Sequence, residues 1–323
     1  MDKISFCITY YNQQEYVEQS INSILAIDIP CNFEILIGDD GSTDNTIEKV
    51  QELQKQYPDK IKYFVMSRDN NVKYDLIQRV AANRLNLVEN ATGNYLMFLD
   101  GDDFYCDKTF IVDALNQFKN DSKLVACAFN YKEYYPDDNL EKIPKQKCKE
   151  GMLDKNKYIR NGWYTPSGAI VFKNILDQKK LLNLKNSKNF DDNVITIYMF
   201  QFGKVYYINK PIYSYRQTTN SVWNSKVEIE QSLLNAMDYE IMSKIAKKFK
   251  NIIAKRQYPS IKKIYKNRKT LKVLLGSDSY QKYVDENKKL GNKFICNLLN
   301  WNKLTILDKF FIKLEILEIK YCL

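Results

Sequence analysis

A chain of 323 residues with 45% hydrophobic and 27% charged content can bury a sizeable core, which excludes wholesale disorder, and no apolar run approaches the length needed to span a bilayer. The formal charge of +10 is uneven: residues 225–323 carry 21 Lys and Arg against 10 Asp and Glu, a net of +11, which leaves residues 1–224 at −1. Histidine is absent, which removes Ser-His-Asp and Cys-His pairs, HExxH zinc sites and any imidazole general base; an enzyme of this composition relies on carboxylates and on hard, oxygen-ligated metals.

In chain order, ISFCITYY (4–11) reads as a buried strand, rich in β-formers. Residues 12–26 place Tyr16, Val17, Ile21, Ile24 and Leu25 at helical spacing. FEILIG (33–38) is a second strand that runs into DDGSTDNT, a turn with Ser42 or Thr43 as helix cap, and then the helix TIEKVQELQKQY. IKYFVM (61–66) is a third strand, about 74–91 a helix, and NYLMFL (94–99) a fourth strand that ends in LDGDD. A helix around 108–119 and the strand KLVACAFNY (123–131) follow; 132–165 is irregular, a place for loops around an acceptor. SGAIVFK (167–173) is a strand, 190–203 an apolar helix opened by FDDN, and KVYYIN (204–209) a strand followed by PIYSYRQTTNS. Beyond about 224 the chain is helical, with breaks near Pro259, Gly276 and Gly291.

Alternating strands and helices predict an α/β fold, an open, largely parallel sheet with helices on both faces. Ligands of such sheets bind beyond the carboxyl ends of the strands. Three polar clusters fall there: Thr9 to Asn12, Asp39 to Asp44, and Asp100 to Asp103. DDGSTD is a tight turn by its composition, and Asp40 could also accept a hydrogen bond from a nucleobase imide. LDGDD is either an exposed acidic turn or a half-site whose charge a divalent cation on a nucleoside diphosphate relieves. FDDN is either a helix cap or the place of a general base.

Taken together, ITYYN, FEILIGDDGSTDNT, ATGNYLMFLDGDD, and FDDN followed by KPIYSYRQTTNS resemble, in order and spacing, the family 2 glycosyltransferases of GT-A fold, over roughly the first two thirds of the chain. The resemblance implies an inverting transferase that uses Mn2+ or Mg2+ and a nucleotide sugar, a UDP-sugar foremost, with a glycan or lipid-linked acceptor of surface polysaccharide or glycolipid synthesis. It implies that Thr9 and Tyr11 line the nucleotide pocket, Asp40 bonds the base edge, Asp100 contacts the ribose and Asp102 ligates the metal. Asp192 would be the base, supported by Asp191, which stands where the family has Glu. Arg84 falls at the family's "ARN" arginine, with Leu85 in place of the asparagine, so the cation that meets base or phosphate is Arg84, Arg79 or Lys73. Gln217 or Asn220 would stand near the place of the family's later histidine. Asp103 caps the next turn, and donor selectivity lies around 130–170, near Trp163, Tyr164 and Ser167.

The chain thus divides into a catalytic region, 1–224, and a basic helical region, 225–323, which reads as a packed helical appendage, an attachment to an anionic membrane surface, or an oligomer contact. No nucleic-acid recognition motif accompanies its charge. Seven cysteines without paired spacing and a start that lacks signal-peptide features predict a cytoplasmic protein, peripheral on the inner face of the membrane if it binds lipid. A nucleotidyltransferase and a non-catalytic sugar-nucleotide or glycan binder are the alternatives; neither gives FDDN or the intact acids as much to do.

Overall fold

The computed structural model describes residues 2–68, 76–146, 148–160, 165–187, 190–217, 226–289 and 291–321. The chain forms two units, Met1–Asp154 with Tyr164–Thr218, and Lys155–Trp163 with Thr219–Leu323.

The first unit opens with β1 (Lys3–Tyr10), α1 (Val17–Leu25), β2 (Asn32–Asp39), α2 (Thr46–Gln56), β3 (Ile61–Val65), α3 (Leu76–Asn90) and β4 (Tyr95–Asp100). Then come β5 (Phe104–Tyr105), α4 (Phe110–Asn120), β6 (Leu124–Tyr135), β7 (Leu140–Lys142) and β8 (Gly151–Met152). α5 (Lys155–Arg160) belongs to the second unit, and the first resumes with β9 (Ile170–Lys173), α6 (Gln178–Ser187), α7 (Asp192–Phe200) and β10 (Lys204–Arg216). The sheet order is β3-β2-β1-β4-β9-β6-β10-β5. The first four strands are parallel, as are β6 and β10, whereas β9 runs antiparallel to both β4 and β6, so the sheet is mixed.

Strand alternation builds two cores. Ile4, Phe6, Ile8 and Tyr10 of β1, with Ile35, Ile37, Met97 and Leu99, meet Val17, Ile21 and Ile24 of α1, Val50 of α2 and Phe110, Ile111 and Ala114 of α4. The intervening positions, Cys7, Leu36, Leu96 and Phe98, are equally buried on the other face, where α3 packs on β1 and β2. Phe98 there packs edge-on to Phe172 and Phe190.

Four local expectations change. α1 starts at Val17, because Asn12 takes a φ of +50° and residues 12–14 bond across to residues 42–46. Residues 167–169 form a 3-10 turn, and only Ile170 to Lys173 is strand; a Cβ at Gly168 would stand 2.2 Å from the Tyr213 ring. β10 continues through Pro211 to Arg216, since register shifts on either side of the proline absorb its missing N–H. Pro259 lies inside a helix of the second unit and does not break it.

That unit comprises α5, α8 (Glu228–Ile245), α9 (Lys250–Asn267), α10 (Leu271–Leu275), α11 (Ser277–Lys289), α12 (Lys293–Leu299) and α13 (Ile306–Tyr321). Within α9, Ile253, Gln257, Ile261 and Ile264 anchor both sides of Pro259, and Gln257 Nε2 donates to the Ala236 carbonyl at 3.1 Å. This burial offsets the single backbone bond that the proline removes. Gly276 and Gly291 do mark breaks, with φ of +76° and +67°.

One buried carboxylate stitches the sheet together. Glu34 accepts from Lys3 Nζ (2.9 Å), Ser5 Oγ (2.8 Å) and both the amide and hydroxyl of Thr92 (2.8 Å each). Burial alone would raise its pKa, but these donors outweigh it and hold the carboxyl at about 2. Its native pKa lies below the unfolded value, so its stabilisation is present above about pH 4.5 and is lost as pH falls toward 2. Glu34→Gln is expected to cost about 2 kcal/mol at neutral pH and to flatten the acid limb of stability between those values, read by urea unfolding across pH.

Candidate active site

Register places the site. Thr9 pairs with Gly38 on one side and Asp100 on the other, so the carboxyl ends of β1, β2 and β4 finish side by side. The Asp40 amide donates to the Tyr10 carbonyl (2.9 Å) and the Gly101 amide to the Thr9 carbonyl (3.0 Å), which extends both strand ends by a residue. Asp39, fully buried, holds the following turn by accepting from the amides of Gly41 (2.9 Å) and Ser42 (2.8 Å) and from the Ser42 hydroxyl. Ser42 and Thr43 therefore bind the 12–14 loop rather than cap α2; Asp44 serves that end, accepting from the Thr46 amide at 3.0 Å.

Asp40 is 3% exposed and faces two guanidinium groups. Arg68 pairs with its Oδ2 and donates to its backbone carbonyl at 2.6 Å, and Arg79 pairs with its Oδ1 and donates to the Met66 carbonyl at 2.9 Å. The Arg68 guanidinium also lies 3.9 Å from the ring centre of Tyr11, itself 40% exposed. Arg68 carried no expectation; its contact to Asp40 spans 28 residues and has no local signature.

A second arginine cluster joins the other two acidic motifs. Arg84, 6% exposed, donates through Nη2 to Asp100 Oδ1 (2.6 Å) and through Nη1 to Asp192 Oδ1 (3.0 Å) and the Phe190 carbonyl (3.3 Å). Burial opposes its charge, but Asp100 and Asp192 outweigh burial and raise its pKa. Thr9 Oγ1 reaches Asp100 Oδ1 at 3.4 Å. Asp192 Oδ1 also accepts from the buried Ser167 hydroxyl at 2.6 Å. Asp191 is the N-cap of α7 and accepts from the Val194 amide at 2.7 Å, so the two acids of FDDN divide: Asp191 caps the helix, and Asp192 meets Arg84 and Ser167.

The LDGDD acids also separate. A Cβ at Gly101 would stand 2.1 Å from the Tyr10 ring, so only glycine lets the loop cross there. Asp103 does not cap the next turn: it is 1% exposed, accepts from Tyr213 Oη and from the Arg216 amide (2.7 Å), and ties the end of β10 to the loop. Arg216 donates from Nε to the Asp102 carbonyl (2.6 Å), beside the rings of Tyr16, Phe104 and Tyr134. The Asp102 carboxyl is pushed up to about 6, by burial first and then by Asp100. Such a carboxylate gains from a cation. The described residues contain no set of three acid, Cys or His side chains grouped to hold a metal. A divalent ion here would take one or two protein carboxylates and complete its shell with phosphate and water, as Mg2+ sites commonly do. Asp102 fits that role. The Gln217 backbone N–H donates to the Tyr134 carbonyl (2.7 Å); Lys73, Trp163, Tyr164 and Asn220 lie outside the described residues.

The sheet and its helices are of the GT-A type. Staphylococcus aureus TarS (residues 1–349, in complex with UDP) superposes with a TM-score of 0.61 at 16% identity, covering 93% of this chain and 87% of TarS. A mannosyltransferase of Pyrobaculum calidifontis, in complex with GDP-Man and Mn2+, gives 0.50 at 14% identity over 99% and 86% of the two chains. The chain belongs to glycosyl transferase family 2, whose model matches residues 5–178. It is 28% identical to an uncharacterized glycosyltransferase of Mycoplasma genitalium over 78% of this chain and 86% of that protein. It is also 28% identical, over 67% of this chain and 65% of the relative, to the GalNAc(5)-diNAcBac-PP-undecaprenol beta-1,3-glucosyltransferase of Campylobacter jejuni. The protein is thus a glycosyltransferase.

Proposed function

We propose that the enzyme is metal-dependent and inverting, and moves a sugar from a nucleotide donor, UDP foremost, to a hydroxyl of a glycan or lipid-linked acceptor in surface polysaccharide or glycolipid synthesis. Residues 1–224 are its catalytic region and 225–323 an appended basic one. The observation that carries this reading is that one buried guanidinium, that of Arg84, joins the acid of the strand-end loop, Asp100, to the acid that opens α7, Asp192. The donor in complex with TarS, UDP-GlcNAc, and the GDP-Man and Mn2+ of the mannosyltransferase support a nucleotide sugar with a divalent ion. The undecaprenol-linked acceptor in the name of the C. jejuni relative supports a lipid-linked one.

In this reading Thr9, Tyr11 and Asp40 with its arginines bind the nucleoside. Asp100 meets the ribose and Asp102 holds the ion, with Mn2+ or Mg2+ supplying charge neutralisation on the departing diphosphate. Asp192 takes the proton from the acceptor hydroxyl as its oxygen attacks the anomeric carbon on the face opposite the nucleotide. Arg84 acts through Asp100 and Asp192, to which its Nη2 and Nη1 donate. Ser167 and Arg84 fix Oδ1 of Asp192 and thereby the rotamer of the base.

Asp102→Ala tests the donor half. Calorimetry with UDP should show Mn2+-strengthened binding for the parent and at least a tenfold loss of that strengthening in the variant. Equal binding with and without Mn2+ in the parent would refute the metal role.

A further inference from the structure

α13 leaves a broad apolar face uncovered. At about 100° per residue, Ile306, Leu317, Phe310, Leu314, Leu307 and Phe311 fall within one arc of roughly 140°. All six are exposed, from 39% at Leu314 to 89% at Ile306. The helix packs on α9, and its Ile312 is buried on the side away from that arc. Exposed faces of this kind mark contact sites. The side chains that rim the arc are charged: Lys309, Lys313 and Lys320 lie along one edge and Asp308 and Glu315 along the other, while Glu318 falls inside the arc near that acidic edge, between Leu307 and Phe311 in projection.

We propose that α13 lies in the plane of an anionic membrane surface, with its apolar arc among the acyl chains and its lysine edge at the headgroups. Three observations select this occupant. First, residues 225–323 carry a net +11, against −1 for the rest of the chain, so positive charge is concentrated in the region that bears the exposed face. Anionic lipid complements that charge, whereas a second copy would bring +11 against +11. Second, α13 has 16 residues, about 24 Å of helix, with six charged side chains, and no described helix is long and apolar enough to cross a membrane; a helix of this pattern lies along the interface. Third, α10 repeats the pattern, exposing Val273 (83%) and Leu274 (46%) beside Lys272. The acids of α13 set the roll, since like charges keep Glu315 and Glu318 at the headgroup level and turn the lysine edge, with the adjoining Ile306, Leu317 and Phe310, deeper toward the lipid. Lipid binding through α13 requires neither the donor nor the base.

The full chain is tested by flotation with vesicles of phosphatidylcholine, with and without phosphatidylglycerol. The parent should float with the anionic vesicles, and about tenfold less with neutral ones or at high salt. Phe310→Ser with Phe311→Ser should cut flotation about tenfold while leaving thermal unfolding and donor binding unchanged. Phe310→Trp gives a positive signal, a blue shift of the fluorescence on adding anionic vesicles. The proposal is overturned if the parent does not float, if the double Ser variant floats as well as the parent, or if light scattering shows a dimer that the double variant dissociates while neither form binds lipid.

Discussion

Asp192→Asn is expected to lower kcat by about a thousandfold and to leave the dissociation constant for UDP within about threefold of the parent. The amide keeps the size of the carboxylate and can still accept from Ser167 and Arg84, so the geometry around α7 survives. It cannot take a proton from the acceptor. The split between intact binding and lost turnover is what separates a base from a structural acid. Asp191→Asn should behave differently: an amide oxygen still caps α7, so turnover should fall far less. Stopped assays of nucleoside diphosphate release, run beside calorimetry, measure both quantities.

Arg84→Met is expected to be the most damaging change in stability within the site, about 3 kcal/mol, together with a loss of turnover. Methionine fills much of the buried stem but leaves Asp100 and Asp192 without the cation that joins them. Arg84→Lys should recover part of the stability and little of the turnover, because an ammonium cannot present a planar fork to two carboxylates. The two sites are in contact, so their effects should not add. Arg84→Met should lower turnover by a much smaller factor in the Asp192→Asn background than in the parent, as a double-mutant cycle of kcat/KM will show. Additive losses would mean that Arg84 acts on the donor independently of the base.

The strand ends were legible in the sequence because they are local. Apolar runs that stop at ITYYN, IGDDGSTD and FLDGDD announce both the strands and the turns, and the parallel order then brings Thr9, Asp40 and Asp100 together. What could not be read is what those acids touch. Arg68 and Asp40 are 28 residues apart, Ser167 and Asp192 25, and Arg216 and Asp102 114, and none of these pairs has a periodic signature. Asp103 shows the same limit: it looks like a capping acid because it sits in a turn, but the partner that determines its role, Tyr213, arrives from a strand 110 residues later. Pro259 reads as a local stop and KVYYIN as a strand that ends at residue 209, yet packing on either side carries α9 through Pro259 and β10 on through Pro211.

The most direct measurement needs no known acceptor. Incubated with UDP-sugars and Mn2+, the parent enzyme should slowly use water in place of the acceptor and release UDP, and proton NMR should show the freed sugar first as the anomer inverted from the donor; Asp192→Asn should release none. Release of UDP with the retained anomer would contradict the single displacement, and release of UMP or pyrophosphate would contradict glycosyl transfer at this site.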